Sequence, residues 1–497
     1  MAAAKLSEKT AFGAFDLGTS NAKAALLHLD GRYEDLGAVT NNVRVGAGGR
    51  VTCRASETVA NFAELLGRMA DVCRKHDVQT LHIGLCAHVS SLILWDTRDN
   101  RLVDDDYPIW MDTSSRPSVS ALREFFAADR DLDLVGSRLP VVANWLAVKI
   151  HHHLGETVRD EWRILQVHDY IYSLLTGRFE THFSGQVSIV DNRTCDYADA
   201  VLSFLHVDRA NLPTIVDDSC TPLLDPTGVF NSIGLPEDTR VHAGLVDRSA
   251  GFCGMDLQDR DGIFLASTSD NAGIYFTEPQ PPPERLTRVR HGDGWVHYGS
   301  TAAGGGTLQW FLQRLGGALT LEELSALAED LPAGSDGLFF HPYLAGERAP
   351  LWNEAASASF VGLRAHHGTE HLFRAVLEGV AFGKRALFEA LGTARPRRIK
   401  VAGGGARNDL QNRIRASILG TDLEVYAEAE FPLRGLLHRL LRAGDVDADS
   451  VLPSLQSHMV RPLEPWRSRY EELYTTFQRV QEAQAGLWDL LAGETSK

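Results

Sequence analysis

Phe12-Gly13-Ala14-Phe15-Asp16-Leu17-Gly18-Thr19-Ser20-Asn21-Ala22-Lys23-Ala24-Ala25-Leu26-Leu27-His28-Leu29 is the stretch on which the fold turns. Two apolar runs, Phe12 to Asp16 and Ala22 to Leu29, flank a turn of small residues, which predicts two paired strands. Asp30-Gly31 follows as a hairpin signal and leads to a third strand near Tyr33, so the chain opens as a β-meander. Within the first turn, Asp16 stands at a strand end, a glycine and two hydroxyl residues come next, and Lys23 lies shortly after. Backbone N–H groups and hydroxyls in such a turn can cradle phosphates, and the carboxylate can hold Mg²⁺ directly or through its waters. A plain β-turn uses the same residues. The motif therefore needs support from the rest of the chain.

Working outward, Ser56 to His76 carries Val59, Phe62, Leu65, Leu66, Met69 and Val72 at helical spacing, and Leu81 to Leu85 and Leu92 to Trp95 return to strand character. A second set of elements begins at Gly262 to Phe276, after a helix-like stretch from Arg248 to Met255, and is broken by the proline-rich loop 278–283. Thr320 with Glu323 forms a capping box, and Thr369 opens a longer helix through Leu391. A strand at Ile399 to Ala402 runs into Gly403-Gly404-Gly405 and a helix from about Asn408 to Leu419. Gly18-Thr19-Ser20-Asn21-Ala22 is echoed by Ser267-Thr268-Ser269-Asp270-Asn271, each at the turn of a predicted hairpin. So short an echo does not by itself establish a duplication.

The length of 497 residues is that of two large domains, expected at 1–250 and 251–455, with a helical tail over 456–497. With 44% hydrophobic and 23% charged residues the composition is that of an ordinary globular protein. Lysine plus arginine total 49 against 65 aspartate plus glutamate, and the formal charge of -16 disfavours sequence-independent nucleic-acid binding and docking to anionic lipid. The six cysteines are scattered without a CxxC pair or zinc-finger spacing, which suggests reduced thiols in a cytosol and neither a structural metal nor a disulfide framework. Met1 to Thr10 lacks the apolar core of a signal peptide, and no segment approaches the length of a membrane span. The expected setting is cytoplasmic, with a small-molecule substrate, no nucleic acid and no membrane; a homodimer is left open.

Neither Walker A nor GxGxxG is present, and the nearest approach, Gly379 to Lys384, lacks the spacing and falls within a predicted helix. Gly403-Gly404-Gly405 lies where a strand passes into a helix, which allows close backbone approach and aims a helix N-terminus at an anion or nucleotide. Further features follow in order: Trp110 with Asp112, Asp169-Tyr170 to Leu175-Thr176-Gly177, Gly244 to Gly254 around Asp247, Thr268-Ser269, and Ala303 to Trp310. After them come Gly346-Glu347-Arg348-Ala349-Pro350, Arg374 to Gly379, and Gly403 to Asn408. Together with Asp16 to Lys23, this series resembles the FGGY carbohydrate kinases, within the actin, Hsp70 and hexokinase-like ATPase superfamily, along nearly the whole chain.

The resemblance implies an α/β fold of two ribonuclease-H-like domains with an interdomain cleft, in which ATP and a small sugar (ketose, polyol or sugar acid) meet. It implies direct in-line transfer of the γ-phosphoryl group, with ATP and Mg²⁺ as cofactors. Asp247 matches the catalytic base, Asp16 the metal-associated carboxylate, and Thr19, Ser20, Lys23 and Thr268 the surroundings of the phosphates. Gly305, Gln309, Gly404 and Asn408 match positions around the nucleotide, while His88, Ser90, Trp110, Asp112 and Arg248 fall where the acceptor is bound. The motifs near Gly346 to Pro350 look most like those of xylulokinases and gluconokinases.

The pattern also breaks. His88-Val89-Ser90 replaces the usual Gln-Met-His, and His88 reads as a core or surface histidine before it reads as a ligand. Ser114 replaces the arginine of Trp-x-Asp-x-Arg, with Arg116 two places on; Ser267 stands where glycine is usual, and Arg434-Gly435-Leu436 replaces Gly-Ala-Ala. Arg248 either clamps a substrate carboxylate by two hydrogen bonds or forms a salt bridge orienting Asp247 or a neighbour, the salt bridge being the simpler reading. Two other functions compete. Ser20-Asn21-Ala22-Lys23 and Ser269-Asp270-Asn271 satisfy SxxK and SDN of serine acyl-enzymes, though Lys-Thr-Gly is missing. A non-catalytic sugar-binding relative would keep the fold without needing both Asp16 and Asp247.

Overall fold

The computed structural model describes residues 7–128, 140–267, 269–281, 283–392, 395–426 and 430–495. The opening meander forms as read: Thr10–Leu17, Asn21–His28 and Tyr33–Thr40 pair antiparallel in sequence. Thr10–Leu17 also runs parallel to Thr80–Ala87, which runs parallel to Asp238–Val241 and, at its end, to Leu245–Val246. The edge strand Thr221–Pro222 closes this sheet. Central strands with a neighbour on each side and cover on both faces must be apolar throughout, and Thr10–Leu17 is buried along almost its whole length.

A second sheet repeats the arrangement. Asp261–Leu265 takes the central place, pairs antiparallel with Asn271–Phe276 and parallel with Arg398–Ala402, and the order continues through Leu423–Tyr426 to an antiparallel edge at His458–Val460. On the other side Gly294–Ser300 stands where Tyr33–Thr40 stands in the first sheet. The Gly18 and Ser267 turns thus occupy the same place in two sheets of one topology, so the short echo in sequence reflects a repeated architecture.

Residues alternate between faces along each strand. In the first sheet one face carries Ala11 and Phe15 toward the helix Ala55–Lys75, whose Phe62 ring lies 4.7 Å from that of Phe15. The other face carries Phe12 and Ala14, and it is covered by Leu433, Leu436, Leu437, Leu440 and Leu441 of the helix Phe431–Ala443. That helix belongs to the second half by sequence. Asp16 continues the row of Phe12 and Ala14, so this packing aims its carboxylate toward the second half.

The motif from Arg374 to Gly379 is structural. Arg374 and Glu378, one turn apart in the helix Thr369–Ala390, form a buried ion pair at 3.0 Å. Glu378 also accepts bonds from the Tyr470 hydroxyl at 2.7 Å and the Gly334 N–H at 3.0 Å, which satisfies a charge that would otherwise be costly to bury. Gly379 is required because a methyl there would overlap the Phe340 carbonyl oxygen. The polar-looking end of the chain forms the helix Glu464–Thr495, which docks Tyr470, Leu473, Tyr474 and Phe477 into the same core. Among the described residues no helix is long and apolar enough to cross a membrane.

Candidate active site

Asp16, near the end of one strand, and Asp247, just past the end of another, flank Thr80–Ala87. Asp16 is in register with Cys86, and Leu245-Val246 with Cys86-Ala87, so both carboxylates emerge at the same sheet edge. Asp247 opens the helix Asp247–Cys253, and its Oδ1 accepts the Arg248 N–H at 2.6 Å. Burial raises the Asp247 carboxyl above its ordinary value, while the Arg248 guanidinium and that N–H act in the opposite direction. Asp16 is pushed up to about 7, first by burial and then by the negative charge of Asp247, against a Cys86 thiol that donates to Oδ1 at 3.5 Å. Burial thus raises both carboxyls, and the charge of Asp247 adds to the cost of ionising Asp16.

Between the halves lies a cavity of about 310 Å³, within the range of small-molecule sites. The first half contributes Thr19, His88, Ser90, Trp110, Asp247 and Arg248; the second contributes Ser267, Ser269, Asn271, Tyr298 and Arg348. The Trp110 indole N–H donates to the Thr19 hydroxyl at 2.8 Å, tying the first turn to the acceptor wall. Ser90 holds a positive φ, and its N–H donates to the Gln166 Oε1 at 2.8 Å. His88 is buried, its ring is pushed down to about 4 by burial, and its Nδ1 has no hydrogen-bond partner. The ring is a neutral imidazole at the cavity wall.

Arg248 likewise departs from the simpler reading. Among the described residues no carboxylate lies within ion-pair distance; the guanidinium instead stacks 4.4 Å above the Tyr298 ring of the opposite half. Its Nε and Nη2 are buried without a partner.

Not every residue singled out from sequence reaches the cavity. Asp112 is fully buried below it, where Oδ2 accepts the Val51 N–H at 2.7 Å and Oδ1 accepts both the N–H and hydroxyl of Ser114, the latter at 2.7 Å. Ser114, in place of arginine, thus builds the turn. Arg116 reaches Glu354 of the second half at 3.6 Å. Lys23 pairs with Glu430 at 2.8 Å, ahead of the helix that covers the first sheet. Ser20 is exposed in its turn.

In the second half the nucleotide-site candidates share one scaffold. Gly305, first residue of the helix Gly305–Arg314, donates to the Ser267 carbonyl at 2.8 Å, and Gly405 donates to the Ala266 carbonyl at 3.2 Å. Gly403 has φ +94°, a conformation that favours glycine, and a methyl there would overlap the Ala266 carbonyl oxygen. Gly404 and Gln309 are exposed on this surface. Asn408 caps the helix Asp409–Leu419 by accepting the Gln411 N–H at 2.8 Å, and its amide donates to Ser325. Thr268 lies outside the described residues. Ser267, in place of glycine, donates its hydroxyl to the Ser269 carbonyl at 2.5 Å and lies on the cavity wall.

The sequence reading missed the support beneath that turn. Asp270 accepts the Ser267 N–H at 3.1 Å and lies 3.3 Å from the buried Lys384, whose ammonium also binds the Thr301 hydroxyl and the Ala303 carbonyl. Lys384 stood in the rejected Walker-like stretch, and nothing in local spacing ties it to a turn more than a hundred residues earlier.

The family model described as the FGGY family of carbohydrate kinases, N-terminal domain, matches residues 11–254, and its C-terminal counterpart matches residues 266–443. The chain belongs to the FGGY family of carbohydrate kinases. It is an ATP-dependent sugar kinase, which removes the serine acyl-enzyme alternative. Among FGGY relatives, a gluconokinase of Bacillus subtilis (strain 168) is 32% identical over 501 residues, covering 93% of this chain and 94% of the relative. A xylulose kinase of Lactococcus lactis is 24% identical over 427 residues, covering 82% of this chain and 83% of the relative. The solved structure of a ligand-bound xylulose kinase from Lactobacillus acidophilus superimposes with a TM-score of 0.86 at 21% identity, covering 97% of this chain and all of that one. A gluconate kinase from the same organism gives 0.85. Both confirm the FGGY fold of two ribonuclease-H-like domains expected from the motifs.

Proposed function

We propose that this FGGY kinase transfers the γ-phosphoryl group of ATP in line to a hydroxyl of a sugar acid, with Asp247 as general base and Arg248 holding the acceptor's carboxylate. The unpartnered Arg248 guanidinium carries the acceptor reading. A half-buried guanidinium whose Nε and Nη2 are shielded from solvent and have no acceptor, beside a base and at the wall of a cavity, is poised for a bidentate carboxylate. A neutral ketose would leave those donors unsatisfied, at a cost of order 1–3 kcal/mol. The stack on Tyr298 holds the plane of the guanidinium for such a fork.

Asp247, with its raised carboxyl, takes the proton of the attacking hydroxyl as the new P–O bond forms and the bond to ADP breaks; no phosphoenzyme is needed. The His88 ring, whose Nδ1 has no partner, and Ser90 on the same cavity wall orient the other hydroxyls. Asp16 fits a divalent cation because burial and the neighbouring Asp247 charge outweigh the Cys86 thiol and Lys23 at its carboxylate, next to a hydroxyl-rich turn. When bound, Mg²⁺ supplies neutralisation of phosphate charge. Thr19 and Ser20 on one side, and Gly305, Gln309, Gly404 and Asn408 on the other, surround the nucleotide.

The test is ADP release with a panel of aldonates, pentuloses, hexuloses and polyols. Aldonates should be turned over preferentially, and Arg248→Met should raise their KM at least ~10-fold while leaving neutral acceptors unaffected. A strict preference of the wild-type chain for neutral sugars would end the clamp assignment. Absence of any sugar-stimulated ADP release from folded protein would instead favour a non-catalytic binder.

A further inference from the structure

Away from the cleft, the first sheet gathers three ligating side chains that phosphoryl transfer does not use. His82 lies on Thr80–Ala87, opposite Arg240 of Asp238–Val241; His242 follows that strand, and Cys220 precedes the edge strand Thr221–Pro222. His82 Nδ1 is 3.1 Å from His242 Nε2 and 3.9 Å from Cys220 Sγ, and the three ligand atoms all lie within 4.8 Å of one another. Both imidazoles are buried, whereas Cys220 is exposed. Ligand atoms on a tetrahedron around zinc, at about 2.0–2.1 Å for nitrogen and 2.3 Å for sulfur, sit roughly 3.3–3.6 Å apart. The observed spacings need only small side-chain adjustments to meet that figure.

A second observation points the same way. The far nitrogen of His242, Nδ1, is 3.2 Å from the Asp218 carboxylate. A carboxylate behind a ligating imidazole fixes its tautomer and presents Nε2, which here faces His82 Nδ1, toward the ion, as at histidine–metal centres generally. We propose that His82, Cys220 and His242 form a binding site for one zinc-class transition-metal ion, with Asp218 as its positioning residue and a solvent-facing fourth position. Thiolate and imidazole suit Zn²⁺ or Co²⁺ rather than Mg²⁺ or Ca²⁺.

Arg240 interacts with Cys220 and Arg439 lies 3.6 Å from Asp218, so cationic side chains flank the site and a hard dication held by charge alone gains little. The site would pin the segment running from His242 to the Asp247 base. Its ligands are widely separated in sequence, which is why cysteine spacing gave no sign of it.

The experiment uses the full-length, untagged chain stripped with a chelator and titrated with Co²⁺. One equivalent should produce tetrahedral visible bands and a thiolate-to-cobalt charge-transfer band, both removed by Zn²⁺. Cys220→Ser should lose the charge-transfer band while keeping kinase turnover, and Asp218→Asn should weaken Zn²⁺ binding by about 10- to 100-fold. Zn²⁺ should also suppress alkylation of Cys220 in the wild-type chain, a readout that needs no substitution. A wild-type protein without the charge-transfer band, the same band in Cys220→Ser, or Cys220 alkylation unchanged by Zn²⁺ would each overturn the site.

Discussion

Asp16 and Asp247 share an edge of one sheet but face different demands, and substitutions should separate them. Asp247→Asn keeps the shape and removes the base, so kcat should fall by about 10²- to 10⁴-fold with the KM for ATP nearly unchanged. Steady-state kinetics at saturating acceptor decides this. Asp16 has a folded-state value near 7, above its unfolded one, so the folded chain binds the extra proton. Its contribution to stability is therefore fully present below about pH 4 and is lost as pH rises through 7. Asp16→Asn should abolish turnover yet raise the thermal midpoint of the ligand-free protein at pH 8, with little gain at pH 4; a drop at pH 8 would contradict the burial argument. The same titration predicts that the Mg²⁺ requirement rises as pH falls below 7, measurable as apparent metal affinity.

At the scale of elements, the crossing of two helices sets how the halves meet. Phe431–Ala443 passes so close to Asp247–Cys253 that a methyl on Gly435 would overlap the Ala250 carbonyl oxygen. Of the three residues that depart from Gly-Ala-Ala, the middle glycine is the one at closest approach; Leu436 packs into the core and Arg434 reaches out to the Pro453 carbonyl. Gly435→Ala should therefore lower the melting temperature and kcat together, whereas Leu436→Ala, which leaves a cavity, should cost about 2–5 kcal/mol in denaturant unfolding. Strands and helices were legible because their apolar spacing is local: Thr10–Leu17, Ala55–Lys75 and the Thr320 capping box lie where the pattern put them. What covers what was not legible, since the leucines at 433–441 read equally well for any apolar face. Asp112 shows the corresponding limit in the site. Its residue type fits an acceptor ligand, but a neighbouring serine two positions on takes the carboxylate into a turn.

Across the whole molecule, two of the ion pairs bridging the halves are weak anchors. Lys23 with Glu430 and Arg116 with Glu354 are partly to largely solvent-exposed, and such pairs contribute about 0–1 kcal/mol, whereas Arg439, half-buried beside Asp218, also donates to the Ala243 and Asp217 carbonyls. The buried leucine face at 433–441 holds the arrangement, and the two cavity walls, with His88 and Ser90 on one side and Ser267, Ser269 and Asn271 on the other, face each other across it. Binding of a non-hydrolysable ATP analogue together with an aldonate should slow amide exchange in residues 16–20 and 267–271 at once; protection of only one turn would mean that the walls do not close on a shared ligand. Trp110, Trp145 and Trp352 all stand on the cavity wall, a third of the nine tryptophans in the chain. Light emitted by those indoles is sensitive to local polarity, so the protein carries its own optical gauge of occupancy, readable without a label in a cuvette.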